Sequence, residues 1–249
     1  MGFGIRSKIR ELQNLMRLAS GCSERPHTTV NEHRDFFTQP GLLADKYHTD
    51  KGSNGSQFSK FPWPCHTYSY LYDMIFFMSR HSVKYVFECG IGSTNPDILH
   101  TMSDIGKPGA SLRMWSEYFP NANVFGADID RSVLFSDHNI STAWVDQLDP
   151  KAISNMWSEF NIDSFDVMID DGFHSFDAGR TLFEHSINRL SISGIYIIED
   201  VGPEDMAKYK SYFRDQGRFN VRYIALAEYQ VERPDNNRLI LITHNSLSS

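Results

Sequence analysis

Residues 86–95, VFECGIGSTN, join a short apolar run to a Gly-x-Gly turn. A mostly apolar run of this length, interrupted here by Glu88, is typical of a strand that is buried on both faces of a parallel sheet. Glycines in the turn let the backbone approach a ligand where a side chain would collide. The stretch therefore predicts a central β-strand that ends in a ligand-binding turn.

The rest of the chain alternates short apolar runs with helical patterns. The predicted strands are 85–89, 123–128, 142–145, 165–169, 194–198, 221–225 and 238–243. The predicted helices are 68–78, 110–118, 151–160, 176–190 and 203–216. This alternation predicts an α/β fold: a Rossmann-like, doubly wound and mostly parallel seven-stranded sheet with helices on both faces. No convincing helix separates the last two strands, which predicts an antiparallel hairpin at one edge.

The beginning of the chain lies outside this pattern. We expect an N-terminal helix and extension over residues 1–60, and one domain over 61–249. Apolar residues recur at helical spacing near the start, at Ile5, Ile9, Leu12 and Met16. They predict an amphipathic helix that packs on the body of the protein or on a second subunit. A homo-oligomer is therefore one expected state.

Composition narrows the class of function. The 249 residues include 24 basic and 31 acidic ones, a net charge of −7, whereas a general nucleic-acid binder usually carries a basic excess. A small-molecule partner fits better. Three cysteines are too few and too scattered for a disulfide framework or a zinc site. No apolar run is long enough for membrane insertion, and the first residues lack the apolar core of a secretory signal, so we expect a cytoplasmic protein.

The Gly-x-Gly turn admits two cofactors. A dinucleotide site would have a third glycine where this chain has Asn95. An S-adenosylmethionine site commonly has an acid shortly before the first glycine, and Glu88 stands two positions before Gly90. Gly92 and Ser93 complete the predicted cofactor-binding turn. The turn alone leaves both cofactors open.

Further cofactor contacts are predicted beyond the next two strands. Asp128 ends the second strand, where a carboxylate can accept hydrogen bonds from ribose hydroxyls; a solvated turn acid is the alternative. Asp146 and Gln147 follow the third strand and could bind the adenine amino group. Ser111 is a candidate cofactor contact in the helix before the second strand, and Arg113 a candidate cofactor or substrate contact there.

Acidic side chains follow the fourth and fifth strands. IDDGFH, residues 169–174, places Asp170 and Asp171 at one strand end, and IIEDV, residues 197–201, adds Glu199 and Asp200 at the next. Each acid alone could be a turn residue or a helix cap. Together they would repel one another at one sheet edge unless a cation is bound, and oxygen ligands favour Mg²⁺ or Mn²⁺. His174 follows Asp171 by three residues at the same sheet edge, where it could take a proton from a substrate hydroxyl.

Four stretches in order carry a resemblance: DKYHTDKG at 45–52, GASLRMWSEYFPNANVFGADID at 109–130, IDDGFH and IIEDV. Over residues 42–245 the chain resembles the metal-dependent sugar O-methyltransferases of macrolide biosynthesis, which are class I S-adenosylmethionine-dependent enzymes. The resemblance implies S-adenosylmethionine as methyl donor, with Mg²⁺ on Asp171, Glu199 and Asp200. It implies His174 as the base. Asp170 is then left with a cofactor-binding or structural role.

These features predict a metal-dependent O-methyltransferase that acts on a hydroxyl of a sugar, glycoside or related polyol. A nicotinamide-dependent oxidoreductase and a non-catalytic cofactor-binding module are the alternatives. Lys46, Asp50 and Lys51 either line the substrate entrance or belong to a solvated loop, and we favour the loop. Tyr68 is expected to pack in the core.

Overall fold

The structure is a computed structural model that describes residues 28–30, 38–52, 61, 63, 65–99, 101–102, 105–226 and 237–245. The amphipathic helix predicted from Ile5 to Met16 lies outside these residues. The predicted boundary at residue 60 stays a prediction.

Nine strands in the described residues form one sheet. They are β1 (Thr28–Val30), β2 (Tyr85–Cys89), β3 (Asn123–Asp128), β4 (Ser136–Asp137), β5 (Ile140–Trp144), β6 (Phe165–Asp170), β7 (Leu190–Ile198), β8 (Phe219–Leu226) and β9 (Arg238–His244). Their order in space is β1-β8-β9-β7-β6-β2-β3-β5-β4. Strand β2, which leads into the Gly-x-Gly turn, lies near the middle of this order, between β6 and β3.

The predicted sheet is confirmed, with two additions. Strands β2, β3, β5, β6 and β7 pair in parallel, while β9 runs antiparallel to both β7 and β8. The β8–β9 hairpin therefore lies toward one edge as predicted, but β1 pairs outside it, parallel to β8. Strands β1 and β4 have three and two residues, too few to produce a periodic sequence pattern.

Six α-helices are described: α1 (Gln39–Tyr47), α2 (Tyr68–Phe76), α3 (Ala110–Tyr118), α4 (Pro150–Phe160), α5 (Phe176–Ser186) and α6 (Pro203–Tyr212). Local sequence fixes several starts. Thr38, Asp149 and Ser175 accept backbone N–H bonds from the first turns of α1, α4 and α5. Among the described residues, no helix has the length and apolar character needed to cross a bilayer.

Both faces of the sheet are covered, as a doubly wound fold requires. Helices α1, α2 and α3 bury Leu43, Tyr72 and Trp115 in the core on one face. Helices α4, α5 and α6 bury side chains such as Trp157 and Tyr209 in the core on the other. The strand ends that follow β2, β3, β6 and β7 are left to form a site at the carboxyl edge.

Substitution of Phe165 tests the core on the sheet face that α4, α5 and α6 cover. Its ring is fully buried and lies 5.4 to 6.0 Å from the rings of Phe87, Phe125 and Trp157. Phe165→Ala should lower the free energy of unfolding by about 3–5 kcal/mol, since it removes a buried ring from a packed cluster. Ile192→Ala, at an exposed position of β7, should change it by less than about 0.5 kcal/mol. Equal losses in urea denaturation would contradict this assignment of the core.

Candidate active site

The Gly-x-Gly turn after β2 needs its glycines. Gly90 and Gly92 have φ values of 84° and 86°, in the left-handed region that favours glycine. A side chain at Gly90 would also collide with the backbone carbonyl of Asp171, and one at Gly92 with the sulfur of Met102. The turn is thus packed directly against the loop that follows β6. The two loops are joined further by a 2.9 Å bond from the Asp171 N–H to the Cys89 carbonyl.

The next strand end organises the other side of the turn. The Asp128 carboxylate accepts the N–H groups of Ile91 and Asp130, each at 2.9 Å. The Ser93 hydroxyl donates to Asp130 at 2.5 Å. Burial raises the pKa of Asp128, although these backbone donors oppose the shift. The structure therefore brings Gly90, Ser93 and Asp128 together, while their contacts to a cofactor stay predictions.

Gln147 and Asp170 are joined to each other. The Gln147 amide donates to Asp170 at 2.6 Å, and its carbonyl accepts the Phe173 N–H at 2.9 Å. Burial raises the pKa of Asp170 to about 6, against the effect of the Gln147 hydrogen bond. Asp146 caps its own turn by accepting the Leu148 N–H. Both predicted adenine contacts thus have partners within the chain, and their roles toward a cofactor stay predictions.

A buried lysine occupies the centre of the acidic edge. The Lys51 ammonium lies 2.5 Å from Glu199, 2.6 Å from Asp171 and 3.0 Å from Glu88. Its side chain is 2% exposed. Although burial opposes it, the charges of Asp171, Glu199 and Glu88 raise the pKa of Lys51 well above its ordinary value. The residue is therefore a charged ammonium held among three carboxyl groups, and burial raises the pKa of two of them, Glu199 and Glu88.

The backbone before α2 delivers Lys51 to this position. Helix α1 ends at His48 with a left-handed φ of 63°, and the Thr49 N–H returns to the Ala44 carbonyl at 3.1 Å. The Ser69 N–H then binds the Lys51 carbonyl at 3.0 Å. The expectation that Lys51 belongs to a solvated loop is wrong, because its charge faces buried acids and not water.

Two tyrosines of α2 complete the inner wall. The Tyr72 hydroxyl donates to Glu199, and the Tyr68 hydroxyl donates to Asp200 and accepts the Asp200 N–H at 3.2 Å. Tyr68 is fully buried, which confirms its predicted place in the core. Burial raises the pKa of both tyrosines, so each remains a neutral donor.

A second group of side chains, Asp171, His174 and Asp200, forms the more exposed rim of the acidic edge. His174 Nε2 is 3.2 Å from Asp171 Oδ1 and 3.7 Å from Asp200 Oδ2, and its side chain is 26% exposed. One ligand atom from each of these three residues lies within 4.8 Å of the others. His66 Nε2 lies 3.5 Å from Oδ1, the other carboxylate oxygen of Asp200. Two carboxylates with an imidazole could hold a divalent ion, and the oxygen donors favour Mg²⁺ or Mn²⁺.

The predicted metal ligands are therefore divided between the two groups. Asp171 and Asp200 reach the rim beside His174. Glu199 is 2% exposed and directs its carboxylate inward, to Lys51 and Tyr72. Its role as a metal ligand stays a prediction.

The rim is held in an unusual backbone conformation. His174 and Asp200 have φ values of 53° and 52°, a left-handed region that residues other than glycine rarely adopt. Such positions cost about 1–3 kcal/mol each and cluster at functional sites. The hydrogen bonds between Asp200 and Tyr68 help to fix one of them.

The charge of His174 follows from its neighbours. Although burial works against it, the hydrogen bond to Asp171 and the charge of Asp200 raise the pKa of His174 to about 10. The carboxyl of Asp171 has its pKa lowered, since Lys51 and His174 outweigh the effect of burial. With the Asp171 carboxyl ionised beside it, His174 carries its proton at neutral pH.

Sequence reasoning missed three side chains of this site and the buried position of a fourth. The three are His66, Tyr72 and Trp115, whose indole N–H donates to Glu88 at 3.0 Å, and the fourth is Lys51. A signal was present for Lys51, because several acids predicted to meet at one buried edge require a positive partner. The other three lie on elements whose approach to the edge depends on tertiary packing. Ser111 was named, and it lies buried beside Glu88.

Comparison with known proteins gave relatives among sugar-modifying enzymes. No family model matches the chain. The 8-demethyl-8-alpha-L-rhamnosyl tetracenomycin-C 2'-O-methyltransferase of Streptomyces olivaceus is 29% identical over 187 residues, 74% of this chain and 44% of the relative. The L-olivosyl-oleandolide 3-O-methyltransferase of Streptomyces antibioticus is 32% identical over 201 residues, 80% of this chain and 47% of the relative. The chain spans about half the length of these curated relatives.

Solved structures show the same fold. The MycE methyltransferase of the mycinamycin biosynthetic pathway, in complex with Mg and SAH, superposes with a TM-score of 0.59 at 24% identity. The match covers 91% of this chain and 57% of that protein. At this identity the likeness establishes the fold.

Gly90 provides a test of the turn geometry. Gly90→Ala should lower the free energy of unfolding by at least about 2 kcal/mol, because left-handed backbone disfavours a side chain and the Asp171 carbonyl fills the space. Gly202→Ala is the matched control, since no atom lies within 4 Å of the added carbon. Chemical denaturation of both variants measures the difference, and equal stability would contradict the close packing of the two loops.

Proposed function

We propose that this chain, a homologue of sugar O-methyltransferases over the part of their length that it matches, transfers a methyl group from S-adenosylmethionine to a hydroxyl of a sugar-containing small molecule. One observation carries the proposal: Asp171, which forms a group with His174 and Asp200, packs its backbone against Gly90 in the glycine turn of β2. A cofactor on that turn and an acceptor at the rim would be neighbours.

The turn suits the proposed cofactor. Gly90 and Gly92 keep the carboxyl end of β2 free of side chains, and Asp128 stands at the end of the adjacent β3. A carboxylate there can accept hydrogen bonds from ribose hydroxyls. Glu88, Ser93, Ser111, Asp146, Gln147 and Asp170 belong to the same proposed cofactor region. The MycE structures, whose fold this chain shares, hold SAH.

The rim suits a hard divalent cation. Asp171 and Asp200 offer carboxylate oxygens, and Glu199 stands one residue from Asp200 as a proposed further ligand. When bound, Mg²⁺ or Mn²⁺ would lower the pKa of an acceptor hydroxyl and fix its orientation. The same MycE structures hold Mg.

His174 is proposed to remove the proton of the acceptor hydroxyl. In the structure, its pKa of about 10 reflects the hydrogen bond to Asp171 and the charge of Asp200, which together outweigh the effect of burial. Positive charge on those carboxylates offsets their field and lowers the pKa of His174 toward its ordinary value. The imidazole can then accept a proton near neutral pH, and its partial exposure leaves it open to an acceptor.

The acceptor is proposed by class only. The relatives are named as O-methyltransferases of a rhamnosyl tetracenomycin-C and of L-olivosyl-oleandolide, and a rim with two carboxylates suits an acceptor with adjacent hydroxyls. Homo-oligomerisation and a cytoplasmic location are further parts of this proposal. The oxidoreductase alternative is disfavoured by Asn95, which stands where a dinucleotide turn has its third glycine.

A thermal-shift panel tests the cofactor and the metal separately. S-adenosylhomocysteine should raise Tm by several degrees, since a ligand at a hundredfold excess over Kd adds about 2.7 kcal/mol of stability. Mg²⁺ should raise Tm further, and Asp171→Asn/Asp200→Asn should keep the first response and lose the second. No response to S-adenosylhomocysteine would overturn the proposal, and a response to NADPH in its place would support the oxidoreductase.

His174 tests the proposed base. His174→Ala should lower kcat by about 10²–10⁴-fold, the usual effect of a general base, for methyl transfer to a glycoside that the unaltered chain methylates. Its Kd for S-adenosylhomocysteine should stay within about twofold, because the base contributes to the chemical step and not to cofactor binding. His185→Ala, at an exposed position of α5, is the control and should leave kcat unchanged. A fully active His174→Ala would refute this role.

A further inference from the structure

We infer that Lys51 is a positioning residue that joins the cofactor side of the site to its metal side. The inference rests on the proposed function. A single ammonium contacts one carboxylate after or within each of three neighbouring strands: Glu88 on β2, Asp171 after β6 and Glu199 after β7. Strand β2 leads to the glycine turn, and the other two strands lead to the rim. The contacts of Lys51 therefore join the proposed cofactor side of the site to the proposed metal side.

The contacts determine where the acids point. Asp171 gives Oδ2 to Lys51 and leaves Oδ1 facing His174 at the rim. Glu199 gives Oε2 to Lys51 and Oε1 to Tyr72. With Lys51 in place, one oxygen of Asp171 stays directed to the rim.

The cofactor side is fixed in the same way. Glu88 offers Oε1 to Lys51 and accepts the Trp115 indole N–H on Oε2 at 3.0 Å. It stands two residues before Gly90, whose turn packs on the backbone of Asp171. Movement of Lys51 would therefore disturb both the turn and the rim, although the residue belongs to neither.

The shape of the contact favours lysine over arginine. An ammonium is a compact charge with three donors, and here it meets three carboxylates in a space that leaves the side chain 2% exposed. A guanidinium keeps the charge but is planar and larger, so it cannot reproduce these three contacts without displacing at least one acid. The exchange Lys51→Arg therefore keeps the positive charge but changes the positions of the acids that contact it.

The experiment compares Lys51→Arg with Lys46→Arg, the same exchange on the preceding helix α1. Lys46 is about half exposed, and its partners among the described residues are Glu117 and the ring of Tyr47. Both variants are assayed at a temperature where circular dichroism shows them folded. Isothermal titration then gives Kd for S-adenosylhomocysteine in metal-free buffer and, separately, Kd for Mn²⁺.

Lys51→Arg should weaken both Kd values about tenfold, within the range that residues orienting metal ligands usually show. Lys46→Arg should leave both within about twofold, as expected for a surface ion pair. A purely structural role for Lys51 would lower Tm and leave both Kd values of the folded variant unchanged, and that result overturns the inference.

A failure of the proposed function gives a different result. In that case the unaltered chain itself does not bind S-adenosylhomocysteine. If Lys51→Arg does not fold, the double variant Lys51→Met/Glu199→Gln is used in its place. This double variant removes one positive and one negative charge from the cluster. Weakened S-adenosylhomocysteine binding by the folded double variant supports the inference, and binding at the strength of the unaltered chain overturns it.

Discussion

The ion cluster around Lys51 is the constraint on which the site depends. Burying carboxylates without positive charge is prohibitively costly, and removing one partner of a buried pair typically costs about 3–5 kcal/mol. Glu88, Asp171 and Glu199 come from neighbouring strand ends, and the positive charge comes from a segment far away in sequence. The carboxyl edge of the sheet can therefore form only when the segment around Lys51 folds over it.

This requirement explains the division of the acidic edge. The inner acids, Glu88 and Glu199, are buried. They contact Lys51, Tyr72 and Trp115, so the fold fixes their positions. The outer groups, His174 and Asp200, are more exposed and strained. Asp171 belongs to both sets, with one oxygen on each. A buried interior thereby supports a more exposed rim.

Sequence predicted the sheet well because its strands are continuous apolar runs, and it placed the acids because strand ends follow directly from such runs. It failed for Lys51, since a charged residue in a Gly- and Ser-rich stretch has the pattern of a solvated loop. The inward direction of Glu199 was equally hidden. Two adjacent acids, Glu199 and Asp200, have the same local pattern, and only the packing of α2 sends one to the interior and the other to the rim.

The two outermost strands have a consequence for association. A long exposed edge strand offers unpaired backbone groups to another chain, whereas very short edge strands discourage such pairing. Here β1 covers the outer side of β8 with three residues, and β4 covers the far side of β5 with two. Within the described residues, edge strands this short discourage the pairing of sheets between copies. At these two flanks, contacts between copies through helices or loops are therefore favoured over sheet pairing.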